Sequence, residues 1–328
     1  MRNSARIVPV VAAAFIAFIA LTAIDAAVGQ TFPSKPLRII VPFPPGGGAD
    51  ITARVLADHL TKSFGQSVVV ENRPGGSTII GSELVARAPA DGYTLLVVFP
   101  SFIINPSLRP KMPFDPLKDF KAVSQTMSVP MAIAVHPSVP AKSLQELIDL
   151  ARTKPGELSY GTPGIGTTHH VMGEMLAQAA KIKLAHAPFQ GGAPSLAAAN
   201  GGHISMIYGN AIEIAPSVKT GRLRAIVVTS AERASVLPET PTMRESGYPE
   251  LEATNWAGLV VPAATPNAAI ARLNTEIVRA LRSAEVQETF KGHGMSTVPT
   301  TPEQFQAFLQ SESTRYAKVV HSAGVKAE

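Results

Sequence analysis

The 328-residue chain contains no cysteine. Its fold is therefore held without disulfides, no thiolate is available as nucleophile or soft metal ligand, and an N-terminal lipoprotein anchor is excluded. Aromatic residues are scarce at 6%, with one tryptophan. Lys and Arg outnumber Asp and Glu by 29 to 24, yet no block of five or six like charges occurs. Scattered basic residues without aromatic interleaving argue against a nucleic-acid partner and are compatible with an attraction for anionic solutes. Also missing are a Gly-x-Ser-x-Gly elbow, a His-Glu-x-x-His helix and a Gly-Lys-Ser/Thr phosphate loop. Neither a cofactor nor a metal is expected.

Only the start of the chain carries a long apolar run, Ile7 to Ile24, preceded by Arg2 and Arg6 and followed by the small residues Ala27-Val28-Gly29. This is the layout of a secretory signal, with cleavage expected before Gln30 and export to the periplasm. The alternative is an uncut anchor, for which 18 apolar residues are marginal. Loss of residues 1–29 leaves 299 residues and, with Arg2, Arg6 and Asp25 gone, a net charge of +4 in place of +5. That length usually divides into two lobes.

The most telling stretch is Arg38-Ile39-Ile40-Val41-Pro42-Phe43-Pro44-Pro45-Gly46-Gly47-Gly48-Ala49-Asp50. A β-branched strand enters a Pro-Pro step and three glycines, and a helix is expected over Ile51–Phe64 with Asp50 as its N-cap. Glycines admit a ligand close to backbone N–H groups, and a helix N-terminus carries about +0.5 charge, so a carboxylate or phosphate is expected there. Gly161-Thr162-Pro163-Gly164-Ile165-Gly166-Thr167-Thr168 repeats this construction before a second helix.

Strand and helix patterns alternate twice. Strands are expected at Leu37–Phe43, Ser67–Glu71 and Thr94–Val98, then at Leu158–Tyr160, Leu184–Phe189, Ile204–Tyr208 and Leu223–Thr229. Such alternation implies parallel sheets with helical crossovers, hence α/β lobes whose strand C-termini face a shared cleft. The Pro-punctuated region Pro100–Pro140 reads as connections, with Ile133–His136 and Leu223–Thr229 as strands linking the lobes. The late helices Asn267–Arg282 and Pro302–Val320 are expected to pack back on the first lobe. The domain division is then 1–29 signal, 30–130 plus 230–328 lobe 1, and 131–229 lobe 2.

His169 and His170 diverge by about 100° on their helix and cannot readily clasp one metal, so packing or capping is the simpler role. Trp256 serves equally as core or as cleft lining. An exported hydrolase would have to bring together a nucleophile and a base from distant segments, such as Ser101 with His170. Arg73 is a turn residue that could also supply a cation.

These motifs resemble the Bug-type extracytoplasmic solute receptors of the tripartite tricarboxylate transporter family. The resemblance runs through Pro36–Phe43 with Asp50, Val69-Val70-Glu71-Asn72-Arg73-Pro74-Gly75, Ala90-Asp91-Gly92-Tyr93-Thr94-Leu95-Leu96, Asn105-Pro106, Phe114-Asp115-Pro116, Tyr160-Gly161 and Gly166-Thr167-Thr168-His169-His170 to Gly221-Arg222-Leu223-Arg224-Ala225. It implies a two-lobed periplasmic binding protein fold of type II-like, Venus-flytrap form. It further implies a monomeric, non-enzymatic receptor that delivers a small carboxylate to membrane permease subunits. The alternative within that fold is presentation of the ligand to a sensor kinase.

First-lobe contacts implied by the resemblance are Phe43, Pro44, Gly47, Gly48, Ala49, Asp50, Pro100 and Ser101. Second-lobe contacts are Gly164, Gly166, Thr167, Thr168, Tyr208, Gly209 and Asn210; Trp256 joins the candidate set on its own pattern, as a residue that is either core or at the cleft mouth. The chain departs from the family in having Gly76-Ser77-Thr78 for Ala-Gly-Gly, and Tyr208-Gly209-Asn210 for Phe-Asp-Ser. Loss of that Asp implies a preference for non-amino carboxylates, with Asn210 as a substitute amide donor.

Overall fold

Strands β1 (Leu37–Val41), β2 (Val68–Asn72) and β3 (Thr94–Val98) form a parallel triplet, with Leu37 opposite Val68 and Arg38 opposite Thr94. Side chains of β1 and β3 are buried on both faces, which is why Ile39-Ile40-Val41 and Leu95-Leu96-Val97-Val98 read as apolar runs. Leu37, Ile39, Val41, Leu95 and Val97 pack with Ala53, Leu56 and Leu60 of α1 (Gly48–Phe64). Ile40, Leu96 and Val98 pack on the opposite side with Val85 of α2 (Ile79–Ala86) and Phe102 of α3 (Pro100–Leu108). Each such buried side chain contributes about 1.5–3 kcal/mol. In this computed structural model, residues 32–109 and 111–323 are described; the signal expected at 1–29 lies outside them.

The region read as connections with a strand at Ile133–His136 contains a longer one, the 16-residue β4 (Phe120–Val135), of which that expectation covered only the last three residues. Residues 120–130 pair antiparallel with β9 (Thr254–Pro262), itself antiparallel to β3. Residues 131–135 pair with β7 (Met206–Asn210) and β8 (Arg224–Val228). Pro130 stands where β4 changes partners, a place where its missing N–H does least harm to the ladder.

The second triplet, β5 (Ser159–Thr162), β6 (Ala185–Pro188) and β7, is parallel as expected. It follows α4 (Leu144–Thr153) and carries α5 (Thr168–Ala179), α6 (Gly192–Asn200) and α7 (Ala211–Lys219). The sheet order is β2-β1-β3-β9-β4-β7-β5-β6, with β8 and the short β10 (Ser296–Thr297) also on β4. The sheets are therefore mixed rather than wholly parallel.

The return crossing lies beside β4. Thr229 N–H donates to Met131 O at 2.9 Å, and Thr229 Oγ1 donates to Ala253 O at 2.7 Å. Residues 230–252, assigned by sequence to lobe 1, touch both sides: Arg315 Nη1 donates to Glu252 O at 2.9 Å, while the start of the segment lies on lobe 2. Met243 N–H donates to Val228 O, and Ala234 and Leu237 join the cluster of Ala132, Ala134 and Val228. The apolar Ala234 and Leu237 find a face there that β4 and β8 leave uncovered.

Helix α8 (Asn267–Arg282) packs on the first lobe as expected, through Leu273 and Ile277, and α9 (Ala284–Gly292) follows it. Helix α10 (Pro302–Ala323) does more than expected. At 22 residues it is about 33 Å long, and its end reaches α5, where Ser322 Oγ donates to Gln178 Oε1 at 3.1 Å.

Candidate ligand-binding site

The loop after β1 is tied down by a carboxylate. Asp50 is the third residue of α1, and Gly47 takes the N-cap position expected of it. Asp50 is buried and accepts from Gly46 N–H at 3.0 Å, Arg54 Nε at 2.9 Å and Asn72 Nδ2 at 3.0 Å. The Arg54 hydrogen bond foremost, against the opposing effect of burial, holds its carboxyl at about 2. Asn72 also donates to Phe43 O at 3.1 Å. Asp50 thus shapes the loop, and its oxygens are occupied within the protein. Pro44, Gly47 and Gly48 are exposed, Ala49 is buried, and Phe43 is half-buried against Phe99 with ring centroids 5.0 Å apart.

Beside this loop, α3 begins at Pro100 and Ser101, where sequence reading expected only connection. Ser101 Oγ is buried without a hydrogen-bond partner. On the other lobe, Thr167 caps α5 by accepting from His170 N–H, while Thr168 Oγ1 donates across to Asn255 Oδ1 at 3.3 Å. A Cβ added to Gly166 would lie 2.7 Å from Leu108 Cδ1 of α3, and one added to Gly294 would strike Ile212 of α7. The two lobes therefore meet along a seam edged by the strand C-termini.

Trp256 is not at this seam. It is 1% exposed, edge-on to Phe305 and Phe308 in the core. Successive strand residues face opposite ways, so Asn255 is the residue that points to lobe 2. Tyr208 is likewise core, edge-on to Tyr160 at 5.5 Å, its hydroxyl buried and unpartnered. Gly209 is buried, and a Cβ there would meet Ile214 and Ile207 at 3.2–3.5 Å. Asn210 alone of that trio reaches the seam edge.

The histidine pair is buried and consumed. His169 Nε2 lies 3.2 Å from Asn210 Oδ1, and burial lowers its pKa to about 4. His170 Nδ1 accepts from Gly166 N–H at 3.2 Å, and its ring stacks on His186 at 3.9 Å. Burial, then repulsion from His186, lowers His170 to about 3. Both rings are neutral at pH 7, and Ser101 makes no hydrogen bond to His170, so these two do not form a nucleophile–base pair. Arg73 pairs with Glu71 at 3.1 Å. Among the described residues, no group of three or more His, Asp or Glu is arranged to hold a metal.

Among the described residues, α1 after Gly47, α3 after Phe99, α6 after Gly191 and α7 after Asn210 start beyond strand ends with no side-chain cap, as do α2 after Thr78 and α8 after Pro266. Their first N–H groups have no side-chain acceptor, and each end favours a negative charge by about 0.3–1 kcal/mol. Two surface hollows of about 370 and 310 Å³ lie elsewhere, one by Lys35 and Asp91 at the N-terminal ends of β1 and β3, the other between α1 and α9. They are open and lined by side chains already in ion pairs, so the seam is the better site.

The model of the tripartite tricarboxylate transporter family receptor matches residues 52–325. The chain belongs to that family. It is 36% identical over 312 residues to BugT of Bordetella pertussis, spanning 94% of this chain and 96% of that protein. Among solved structures it is similar to Rpa4515 of R. palustris with adipate, at 32% identity and TM-score 0.80, covering 90% and 99% of the two chains. It is similar also to MatC of Rhodopseudomonas palustris with bound malate, at 29% identity and TM-score 0.77, covering 88% and 100%. The family consists of periplasmic solute-binding receptors, and the two-lobed fold is the one its solved members share. No helix among the described residues is long and apolar enough to cross a membrane.

Proposed function

We propose that this protein captures a small carboxylate between its lobes in the periplasm and delivers it to the membrane subunits of a tripartite tricarboxylate-type transporter, without chemical change. The observation that carries the reading is the set of uncapped helix N-termini along the seam. Oriented N–H groups and helix dipoles meet a carboxylate without a buried arginine. The adipate and malate held by two family members support the ligand class.

Lobe 1 comprises residues 30–130 with the chain from Thr254 onward, and lobe 2 comprises 131–229 with the start of 230–252 added to it. The lobes hinge where β4 passes Pro130 and where Thr229 bonds Met131 and Ala253. Ligand contacts fall on the loops Phe43–Gly48 and Gly164–Thr168, on Pro100 and Ser101, and on Asn210 and Asn255. The protein acts as a monomer whose closed form is read by the permease.

The test is a thermal-shift screen of the mature chain against aliphatic, aromatic and amino carboxylates, with product analysis of the bound solute. A ligand at 100 times its dissociation constant adds about 2.7 kcal/mol of stability, a shift of several degrees. A selective shift with the solute recovered intact is expected. Turnover, or a flat panel from protein that mass spectrometry shows to be ligand-free, overturns the reading.

A further inference from the structure

Beside the loop Gly164–Thr168 two imidazole rings lie face to face, His170 of α5 and His186 of β6, with centroids 3.9 Å and planes 8° apart. Each ring holds one point of the loop. His170 Nδ1 accepts from Gly166 N–H at 3.2 Å. His186 Nε2 lies 2.7 Å from Thr162 Oγ1, which is itself 3.3 Å from both the nitrogen and the carbonyl oxygen of Gly164. Gly164 and Gly166 have φ of +143° and +76°, conformations that glycine enters and leaves freely, so these tethers set the form of the loop. The loop so held reaches lobe 1, since a Cβ on Gly166 would lie 2.7 Å from Leu108 Cδ1.

Carboxylate capture requires the loop but not a pair of titratable rings behind it. Nδ1 of His170 accepts only while it is unprotonated; a proton there turns the contact with Gly166 into donor against donor and sets a cation against His186. From α5 itself, Glu174 lies 3.9 Å from His170 Nε2, and its Oε1 accepts from the Tyr160 hydroxyl of β5. The Tyr160 ring stacks on His186 at 4.8 Å and meets Tyr208 of β7 edge-on. His169 turns to Asn210 instead. Helix α10 and the turn Pro249–Leu251 also pack on α5; there Arg315 pairs with Glu312 and Glu252 with Arg244. Among the described residues neither Glu250 nor Lys318 bonds to either ring.

While the loop is closed, burial and then repulsion from His186 outweigh Glu174 and hold His170 at about 3, and burial holds His186 at about 4. A loop that swings open returns the rings to water and to their ordinary value of 6.5. The closed form therefore binds fewer protons than the open one. Its advantage is complete above pH 6.5, and each pH unit below that favours opening by about tenfold per exposed ring.

We propose that the stacked His170–His186 pair positions the second cleft loop, the neutral rings holding it against lobe 1 and their protonation releasing it together with the bound solute. Only the release of solute rests on the carboxylate-capture reading.

The experiment is amide hydrogen exchange of the ligand-free mature chain at pH 7 and pH 5, read on peptides spanning Gly161–Val171 and corrected for intrinsic rates. Wild type is compared with His170→Phe, which keeps a stacked ring but leaves Gly166 N–H without an acceptor, and with the double variant His170→Asn/His186→Phe. In the latter, the asparagine oxygen accepts near the place of Nδ1 and neither side chain takes up a proton. Wild-type loop protection is expected to fall at least tenfold from pH 7 to pH 5 relative to β4, and that of the double variant by less than threefold. His170→Phe should lack the protection at both pH values and bind adipate or malate at least tenfold more weakly at pH 7. Wild-type protection that does not fall overturns the inference whether or not the variants fold. An equal fall in the double variant, or full protection in His170→Phe, overturns it as well. If neither adipate nor malate binds any of the proteins, that failure counts against the capture reading, and the exchange result alone decides the role of the rings.

Discussion

Asp50→Asn isolates what holds the first glycine loop in shape. The Asp50 carboxylate joins Gly46, Arg54 and Asn72, and holding its carboxyl at about 2 rather than 3.8 corresponds to about 2.4 kcal/mol at 1.36 kcal/mol per pH unit. Arg54 is 56% exposed, so solvent screening reduces this to about 1–2 kcal/mol. The folded-state pKa is depressed, so the contribution is complete above pH 3.8 and is lost as pH falls through about 2. Asparagine removes it at neutral pH, with an expected fall in melting temperature of roughly 2–4 °C. Urea unfolding of wild type and variant at pH 7, 4 and 3 reads the effect as a difference in midpoint. The gap should be full at pH 7 and 4 and begin to narrow at pH 3. Equal midpoints at pH 7, or a gap that widens on acidification, would refute the assignment of Asp50 as an ionised anchor.

Tyr208→Phe removes a buried hydroxyl that has no partner, so urea unfolding should show stability unchanged or raised by up to about 1 kcal/mol. A loss of about 1 kcal/mol or more would mean that a bound group satisfies the hydroxyl and that Tyr208 belongs to the site after all. Gly166→Ala meets two obstacles, a φ of +76° and Leu108 Cδ1 at 2.7 Å across the seam, whereas Gly156→Ala meets only a φ of +81° with nothing within 4 Å. Both should lose about 1–2 kcal/mol of stability from the left-handed backbone, but only Gly166→Ala should also weaken ligand binding, by tenfold or more in calorimetry. Equal affinities for the two variants would show that the Gly166–Leu108 contact plays no part in closure.

The two strand triplets were legible because a parallel strand covered on both faces must be apolar throughout, as Ile39-Ile40-Val41 and Leu95-Leu96-Val97 are. Strand β4 was hidden by Pro130, since a proline inside a strand ordinarily argues against it; only the change of partners at that residue explains its presence. The packing of Ala234 and Leu237 against Ala132, Ala134 and Val228 was not legible, because it is set by an uncovered apolar face, a tertiary property without local sequence pattern. At the site, Trp256 and Asn255 show a limit that alternation could have resolved. Neighbours on a strand cannot both face the seam, and the larger apolar side chain is the one the core takes. The binding groups themselves leave the faintest trace, because backbone N–H groups are the same in every residue. Their mark is an omission: Ser143 and Ser283 cap helices that begin away from the seam, whereas Gly47, Phe99 and Gly191 stand at N-caps beside it and offer no side-chain acceptor to the first N–H groups, Thr167 of α5 being the exception. Helix α8, which follows Pro266 with no side-chain cap either, shows that the omission alone is not enough. It becomes informative only when the same helix follows a strand whose C-terminal end faces a second lobe. That placement is what distinguishes the starts of α1, α3, α6 and α7 from an ordinary frayed helix end, and it is a fact of topology rather than of composition.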